Sequence, residues 1–259
     1  MQHLIDALGR RVVSFLGFFG EIFILLLQTL GGLFSKTASR RMTADQMAQI
    51  GINSLPIVAV TMVFSGMVLA YHVAQQAGKL GIGTLVGWLV SETMARELGP
   101  VLTSIVVAAR GGSAMAAELG TMKVTEQIDA LRALATNPVE YLVVPRFLAC
   151  LFMMPILVLI GDTLGVFGGY LLALSAPSIN AGAYFTNIPG HLELWTVAGG
   201  VIKSVFFGII IAIVGCHQGL TCRMASEEVG RAVTRSVVYC IMLIYALNLL
   251  LTEIVYHNG

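Results

Sequence analysis

The sequence predicts an all-α integral membrane protein with five transmembrane helices and a further apolar helix before them. Of its 259 residues, 57% are hydrophobic and 11% are charged, and the mean hydropathy is +0.86. Soluble domains carry about 25% charged residues, so this chain has too little polar surface to cover a globule of its size. The net charge is only +1 and no basic stripe is present, so we expect no nucleic-acid partner.

Five apolar segments are long enough to cross a hydrocarbon core, which takes about 20 residues. They lie at 52–75, 84–117, 146–174, 195–217 and 236–256. A sixth apolar segment, 12–34, carries Glu21 at its middle. Length alone therefore predicts five spans and leaves the sixth segment open.

Lysine and arginine residues occur in alternate connections. The basic connections contain Lys36, Arg40 and Arg41, then Lys123, Arg132 and Arg146, then Arg223, Arg231 and Arg235. The connection at 76–83 contains only Lys79, and the loop at 175–194 and the C-terminal tail contain no basic residue. Because basic loops stay in the cytoplasm, we expect the N-terminus inside and the C-terminus outside.

The same rule predicts the position of segment 12–34. If it crossed the membrane, Arg10 and Arg11 would lie on the opposite side from Lys36 and Arg40. We therefore predict an elbow helix that lies in the cytoplasmic interface or dips in and returns, with a sixth span as the alternative. This divides the chain into an elbow region, 1–44, and a five-span domain, 45–259.

The second segment carries charges at membrane depth. At 34 residues it would extend about 51 Å, so it either runs on into the cytoplasm or is broken, and we predict the break at Gly99-Pro100. Glu92 and Arg96 are spaced for a helical ion pair, whereas Glu97 points elsewhere. One interpretation is that these charges pair with one another and with Lys203 of the fourth segment. The other is that all four residues line the cavity or gate of a transported substrate.

Small residues follow in the same segment. They include Gly111, Gly112, Ser113 and Ala114, which predict close helix packing within a bundle or across a dimer. The four cysteines, Cys150, Cys216, Cys222 and Cys240, have no zinc-like spacing, so we interpret them as packing residues and expect no metal site.

A short amphipathic helix is predicted between the second and third spans. Thr125 is its expected cap, Asn137-Pro138 its expected stop, and Ile128, Leu131 and Leu134 its expected apolar side. Either it rests on lipid or it docks in the groove of a cytoplasmic protein, and its few basic residues favour the protein. The expected docking residues are Thr125, Glu126, Gln127, Ile128, Asp129, Ala130, Leu131 and Leu134.

The stretch RELGPVLTSIVVAARGGSAMAAELGTMKVTEQIDALRALATNP, residues 96–138, resembles the signature of the MlaE/YrbE permease family. The resemblance continues at EEVGRAVTRSVV, residues 227–238, where the family usually has glycine in place of Glu228 and threonine in place of Val233. It extends over nearly the whole chain.

The resemblance implies a non-catalytic permease subunit of an ABC transporter that works with MCE proteins in a bacterial inner membrane. It implies a homodimer of five-span subunits, a lipid cavity between them at Arg96 and Glu97, and a coupling helix at 125–137. The expected cargo is phospholipid, moved between the inner membrane and a periplasmic MCE protein to maintain outer-membrane asymmetry. A cytoplasmic ATPase dimer would bind ATP and Mg²⁺, and a small accessory subunit would be a further partner.

Two other functional classes compete with this interpretation. A proton-coupled secondary transporter would use Glu92, Glu97, Asp162 and Lys203 as a relay. A membrane-embedded lipid enzyme would use His72, His191 or His217, but no hydrolase or metalloprotease motif accompanies them. No phosphate-binding loop is present either, so energy from ATP must come from a partner. In the outer loop at 176–195, Tyr184 and Trp195 are the expected interface anchors.

Overall fold

Five long helices, each apolar enough to cross a membrane, make up most of this computed structural model. It describes residues 2–33, 40–175 and 181–256. The five spans are α2 (Arg40–Lys79), α3 (Gly83–Val124), α5 (Val139–Ser175), α8 (Leu194–Leu220) and α9 (Ser226–Tyr256). No strand occurs in the described ranges, so the predicted all-α, five-span fold is confirmed.

Shorter helices lie around these spans. Helix α1 (Gln2–Gly32) precedes them, and its apolar part, Leu16–Gly32, is shorter than the five spans. Helix α4 (Gln127–Ala133) connects α3 to α5, while α6 (Ala181–Tyr184) and α7 (Ile188–His191) lie between α5 and α8. A shorter apolar helix before the spans is therefore also confirmed.

Glycines allow the central spans to approach each other closely. A Cβ atom at Gly66 of α2 would collide with the backbone of Gly165 in α5, and one at Gly200 of α8 would collide with the carbonyl of Ala95 in α3. Close approach of backbones is the main route to helix association in lipid, where burial of apolar surface brings little gain. The charged side chains of α3 are thereby held against α8.

The predicted break at Gly99-Pro100 is wrong. Helix α3 continues through it, because a π-helical turn at Met94–Leu98 directly precedes the proline. Pro100 then occupies the first turn of the next α-helical stretch, Gly99–Val107, where a missing N–H group costs least. A second π turn at Ala108–Gly112 follows, and such turns often mark functional sites.

The spans differ in how much of their surface is covered. About 56% of the apolar stretch is buried in each of α3, α5 and α8, but only 28% in α2 and 17% in α9. The outward faces of α2 and α9 carry large apolar residues, among them Phe64, Tyr71, Met242 and Leu249. These faces are suited to lipid or to another protein chain.

Candidate functional site

Lys203 is the centre of a polar cluster inside the membrane domain. Its side chain is fully buried, and its ammonium donates to Glu97 Oε1 at 2.8 Å, to Thr252 Oγ1 at 2.8 Å and to the carbonyl of Arg96 at 3.1 Å. An ammonium has three N–H groups, so all of them are used. All three N–H groups of Lys203 are therefore bonded within the protein, and none is left for a ligand.

Glu97 of α3 is held by side chains from two other helices. Besides the Lys203 contact from α8, it accepts hydrogen bonds from Asn248 Nδ2 and Thr252 Oγ1 of α9, each at 2.9 Å. Glu97 lies within the π turn of α3, which alters the direction expected from ordinary helical spacing. The set of Glu97, Lys203, Asn248 and Thr252 is named the Lys203 cluster below.

Arg96 is held less tightly than Lys203. Its guanidinium is 3.7 Å from the Glu92 carboxylate and lies over the Tyr256 ring, 4.2 Å from the centroid. Glu92 also accepts a longer hydrogen bond of 3.3 Å from Thr196. Because 42% of the Arg96 side chain is exposed, this guanidinium is the cation beside the cluster that can reach an anionic ligand.

A second polar cluster lies at the other end of α3. Arg146 of α5, only 7% exposed, donates to Glu118 at 2.8 Å and to the carbonyl of Leu142 at 2.7 Å. Gln49 of α2 donates to the other Glu118 oxygen at 2.6 Å. Arg110 in turn donates to the carbonyl of Gln49 at 3.1 Å. These four residues form the Arg146 cluster.

Sequence reasoning did not identify the Arg146 cluster. It named Arg146 as a basic residue of a connection but gave no role to Glu118, Gln49 or Arg110. The sequence feature that could have predicted the cluster was Glu118 itself, a carboxylate within the small-residue stretch. A carboxylate at membrane depth needs a cation as its partner. That cation comes from a different helix, 28 positions along the chain.

The small-residue stretch divides into two parts. Gly111 and Gly112 are buried, and Gly112 lies against Gly215 of α8 and accepts a hydrogen bond from Ser236 of α9 at 3.3 Å. Ser113 and Ala114 are half-buried, and the Ser113 hydroxyl donates back to the carbonyl of Ala109 at 2.6 Å. Gly112 thus lies in a close contact between helices.

The connecting helix α4 is shorter than predicted. Thr125 does not cap it; the Thr125 hydroxyl donates to the carbonyl of Thr121 at 2.8 Å and terminates α3. Glu126, with φ 59°, makes the corner that starts α4. The helix ends before the expected stop because Ala135 adopts φ 56° and Thr136 N–H bonds to the carbonyl of Leu131 at 3.0 Å.

The apolar side predicted for this helix is only partly formed. Ile128 is buried and Leu131 half-buried, but Leu134 is 75% exposed because the left-handed turn after it ends the helical periodicity. Asp129 pairs with Arg132 at 2.9 Å and Gln127 donates to Thr125 at 3.0 Å. The exposed residues of the predicted docking set are Thr125, Glu126, Gln127, Ala130 and Leu134.

The other candidate residues do not form a common site. His72 and His191 are exposed, and His217 is buried beside Glu21. Asp162 lies against Gly99, and its buried Oδ1 atom has no hydrogen-bond partner among the described residues, so no bonded relay joins it to Lys203. Within the same ranges no group of three metal-binding side chains occurs. The four cysteines are buried and unpaired.

The predicted anchors of the outer loop behave differently from each other. Tyr184 is buried, not interfacial: it donates to the carbonyl of Val166 at 3.2 Å, and burial raises the pKa of its hydroxyl. Trp195 is about half exposed and donates to the carbonyl of Val255 at 3.1 Å. Residues 176–180 of that loop lie outside the described ranges.

Comparison with known proteins gives a consistent assignment. The family model "Permease MlaE" matches residues 43–254. A probable ABC transporter permease protein of Rickettsia typhi is 38% identical over 256 residues, covering 99% of both chains. The intermembrane phospholipid transport system permease protein MlaE of Haemophilus influenzae is 32% identical over 262 residues, covering 99% of both chains.

A plant protein is also similar to this chain. The chloroplastic protein TRIGALACTOSYLDIACYLGLYCEROL 1 of Arabidopsis thaliana is 35% identical over 219 residues, covering 85% of this chain and 63% of the relative. The residues matched by the family model, 43–254, include all eight residues of the two polar clusters. This chain therefore belongs to the MlaE permease family.

Proposed function

We propose that this chain is the membrane permease subunit of an ABC transporter that moves phospholipid between the inner membrane and a periplasmic MCE protein, maintaining outer-membrane asymmetry. The family and the phospholipid transport named for the Haemophilus relative support the lipid. The subunit itself is non-catalytic, and a partner ATPase dimer binds ATP and Mg²⁺.

The main observation in support of the proposal is that the two neighbouring cations, Lys203 and Arg96, differ in exposure. Lys203 and Glu97 neutralise each other in the interior, while Arg96 leaves part of its guanidinium exposed above Tyr256. A guanidinium matches the geometry of a phosphate with two parallel hydrogen bonds. In this role Arg96 contacts the headgroup, Glu92 holds Arg96 when no lipid is bound, and the Lys203 cluster joins α3, α8 and α9 behind them.

A homodimer would complete the cavity. Helix α9 carries two residues of the Lys203 cluster but buries only 17% of its apolar stretch. A second copy packed on α2, or on the end of α9 that carries Asn248 and Thr252, would cover such a face and enclose Arg96 between two subunits. A charge at membrane depth costs at least about 2.5 kcal/mol, so we expect Arg96 to line a polar cavity between subunits and not to face lipid.

Helix α4 is the proposed docking site for the ATPase. It connects α3 and α5, and the bond between Glu118 and Arg146 joins these helices just before and just after it. Motion of α4 would thus reach both spans together, and Gln49 would pass it to α2. In this arrangement α4 and the N-terminus are cytoplasmic, the C-terminus is periplasmic, and a small accessory subunit would bind on the cytoplasmic side.

Copurification from native membranes tests this function. We expect an ATPase and an MCE protein to copurify with the tagged chain, and Leu134→Asp on the exposed end of α4 to release the ATPase. Leu194→Asp, at a similarly exposed leucine that begins α8, is the matched control and should retain the ATPase. A chain that purifies alone, with transport that follows the proton gradient, would instead establish the secondary transporter.

A further inference from the structure

A cavity of about 610 Å³ lies between α1, α8 and α9, apart from both polar clusters. Its polar wall is formed by Glu21, His217, Gln218, Thr221 and Arg235, and its apolar wall includes Phe18, Phe19, Tyr239, Met242 and Leu243. The volume is within the range of about 300–1,000 Å³ that is typical of small-molecule sites. The function proposed above uses none of these residues.

One wall of the cavity is held by a buried histidine. His217 is 5% exposed, and its Nε2 lies 2.9 Å from the Glu21 carboxylate, while the Phe18 ring meets the imidazole edge-on at 5.6 Å. This contact explains the carboxylate in the middle of an apolar helix, since a polar group near lipid needs a partner. It also fixes α1 against α8, so a specific polar contact determines the shape of the cavity.

Arg235 supplies a cation with unused donors. Its hydrogen bond within the described ranges is a long one, 3.4 Å to Glu228, and the same carboxylate binds Arg231 more closely at 2.8 Å. A guanidinium has five N–H groups, so most of those on Arg235 remain available to a ligand. Because 46% of this side chain is exposed, an anion can reach it from outside.

The cavity changes from polar to apolar along α9. Arg235, Tyr239, Met242 and Leu243 follow one another at the spacing of a single helix face. From Arg235 to Met242 the axis rises about 10 Å, roughly the distance from a lipid phosphate to the upper acyl chain. Met242 is 62% exposed and Phe19 38% exposed, so the cavity opens sideways, where a bilayer lipid would enter.

We propose that this cavity binds a phospholipid, with the phosphate on Arg235 and the acyl chains along Met242 and Leu243. In a zwitterionic lipid the amine of the headgroup is placed at Glu21. The choice of phospholipid as the ligand rests on the proposed lipid-transport function. The site itself is a second one, separate from Arg96, and the elbow helix α1 forms one of its walls. Both α8 and α9 continue from this cavity to the Lys203 cluster, so a lipid held here adjoins the helices that form the transport site.

Photocrosslinking on the assembled transporter tests the site. Benzoylphenylalanine is placed at Phe19, in the cavity wall, or at Tyr256, beside Arg96, and phospholipid adducts are identified by mass spectrometry after irradiation in native membranes. We expect adducts at both positions. Arg235→Gln should lower the adduct at position 19 about tenfold, as expected for loss of a charge-assisted hydrogen bond, and leave the adduct at position 256 unchanged. Arg223→Gln, an exposed arginine outside the cavity, is the matched control.

The two proposals fail in different ways. Adducts at position 256 alone would overturn the cavity site and leave the transport function standing, whereas adducts at neither position would count against lipid transport itself. If Arg235→Gln does not fold, Met242→Trp fills the apolar end and should lower the position 19 adduct in its place. If the chain with benzoylphenylalanine at position 19 and Arg235 intact gives no adduct but binds inorganic phosphate, and Arg235→Gln abolishes that binding, the cavity would be assigned to a soluble anion.

Discussion

The Lys203 and Arg146 clusters both place charges inside the membrane domain, yet they join different helices. The Lys203 cluster links α3 and α8 to α9, the span with the least covered surface. The Arg146 cluster links α3 and α5 to α2, on either side of α4. The first cluster is therefore suited to a substrate cavity and the second to transmission of movement from α4.

The two clusters also differ in how completely each cation is enclosed. Lys203 is fully buried with three partners, and Arg146 is buried with a partner, Glu118, that is 37% exposed. Loss of a buried charge leaves its partner unpaired in a medium of low dielectric constant. We therefore expect removal of Lys203 to destabilise the protein more than removal of Arg146.

The largest effect is expected for Lys203→Met. It leaves Glu97 without its cation, and we expect a loss of about 3 kcal/mol, at the low end for a buried pair because a third of Glu97 is exposed. Thermal unfolding in detergent measures this change. The double variant Lys203→Met, Glu97→Met should recover most of the stability but not the transport; a double variant as unstable as the single one would contradict the pairing.

A smaller loss is expected for Arg146→Met. About 1–2 kcal/mol should be lost, because Glu118 keeps Gln49 and some solvent as partners. Lipid moved per ATP hydrolysed should fall more than the amount of assembled complex. Arg132→Met, in the exposed pair with Asp129, is the control and should change stability by less than about 0.5 kcal/mol. Equal effects of the two substitutions would remove the proposed role of the cluster.

Arg96→Gln should separate function from stability. The exposed pair with Glu92 contributes little, so unfolding should change by less than about 1 kcal/mol. Lipid transfer to vesicles should fall about tenfold or more, since a charge-assisted contact to phosphate is lost. Arg96→Lys should restore part of the transfer. Unchanged transfer in both variants would exclude Arg96 from lipid handling.

The smallest effect is expected at the corner before α4. Glu126 has φ 59°, a conformation that glycine adopts without steric cost, so Glu126→Gly should stabilise the chain by about 0.5–1 kcal/mol. Ala135→Gly, at φ 56°, is the parallel test at the other end of α4. Both are measured as a rise in the unfolding midpoint, and a fall at both positions would contradict the left-handed geometry.

The resemblance of residues 96–138 to a known signature predicted the family, and pattern and composition alone predicted the five spans and the shorter helix before them. They did so because span length and the charge deficit are set by the thickness and polarity of the bilayer, which act on each segment separately. Sequence spacing also identified Glu92, Arg96, Glu97 and Lys203 as unusual charges, and it proposed their pairing as one of two interpretations.

Only the tertiary structure decided which charges meet. Glu118 and Arg146, Glu21 and His217, and Glu97 and Asn248 lie far apart along the chain and are joined by helix packing that no local pattern encodes. The π turn before Pro100 and the left-handed turn at Ala135 likewise replaced a predicted break and moved a predicted stop. Helix periodicity is a local property of sequence, whereas the partner of a buried charge is selected by whichever helix the close-packed glycines bring next to it.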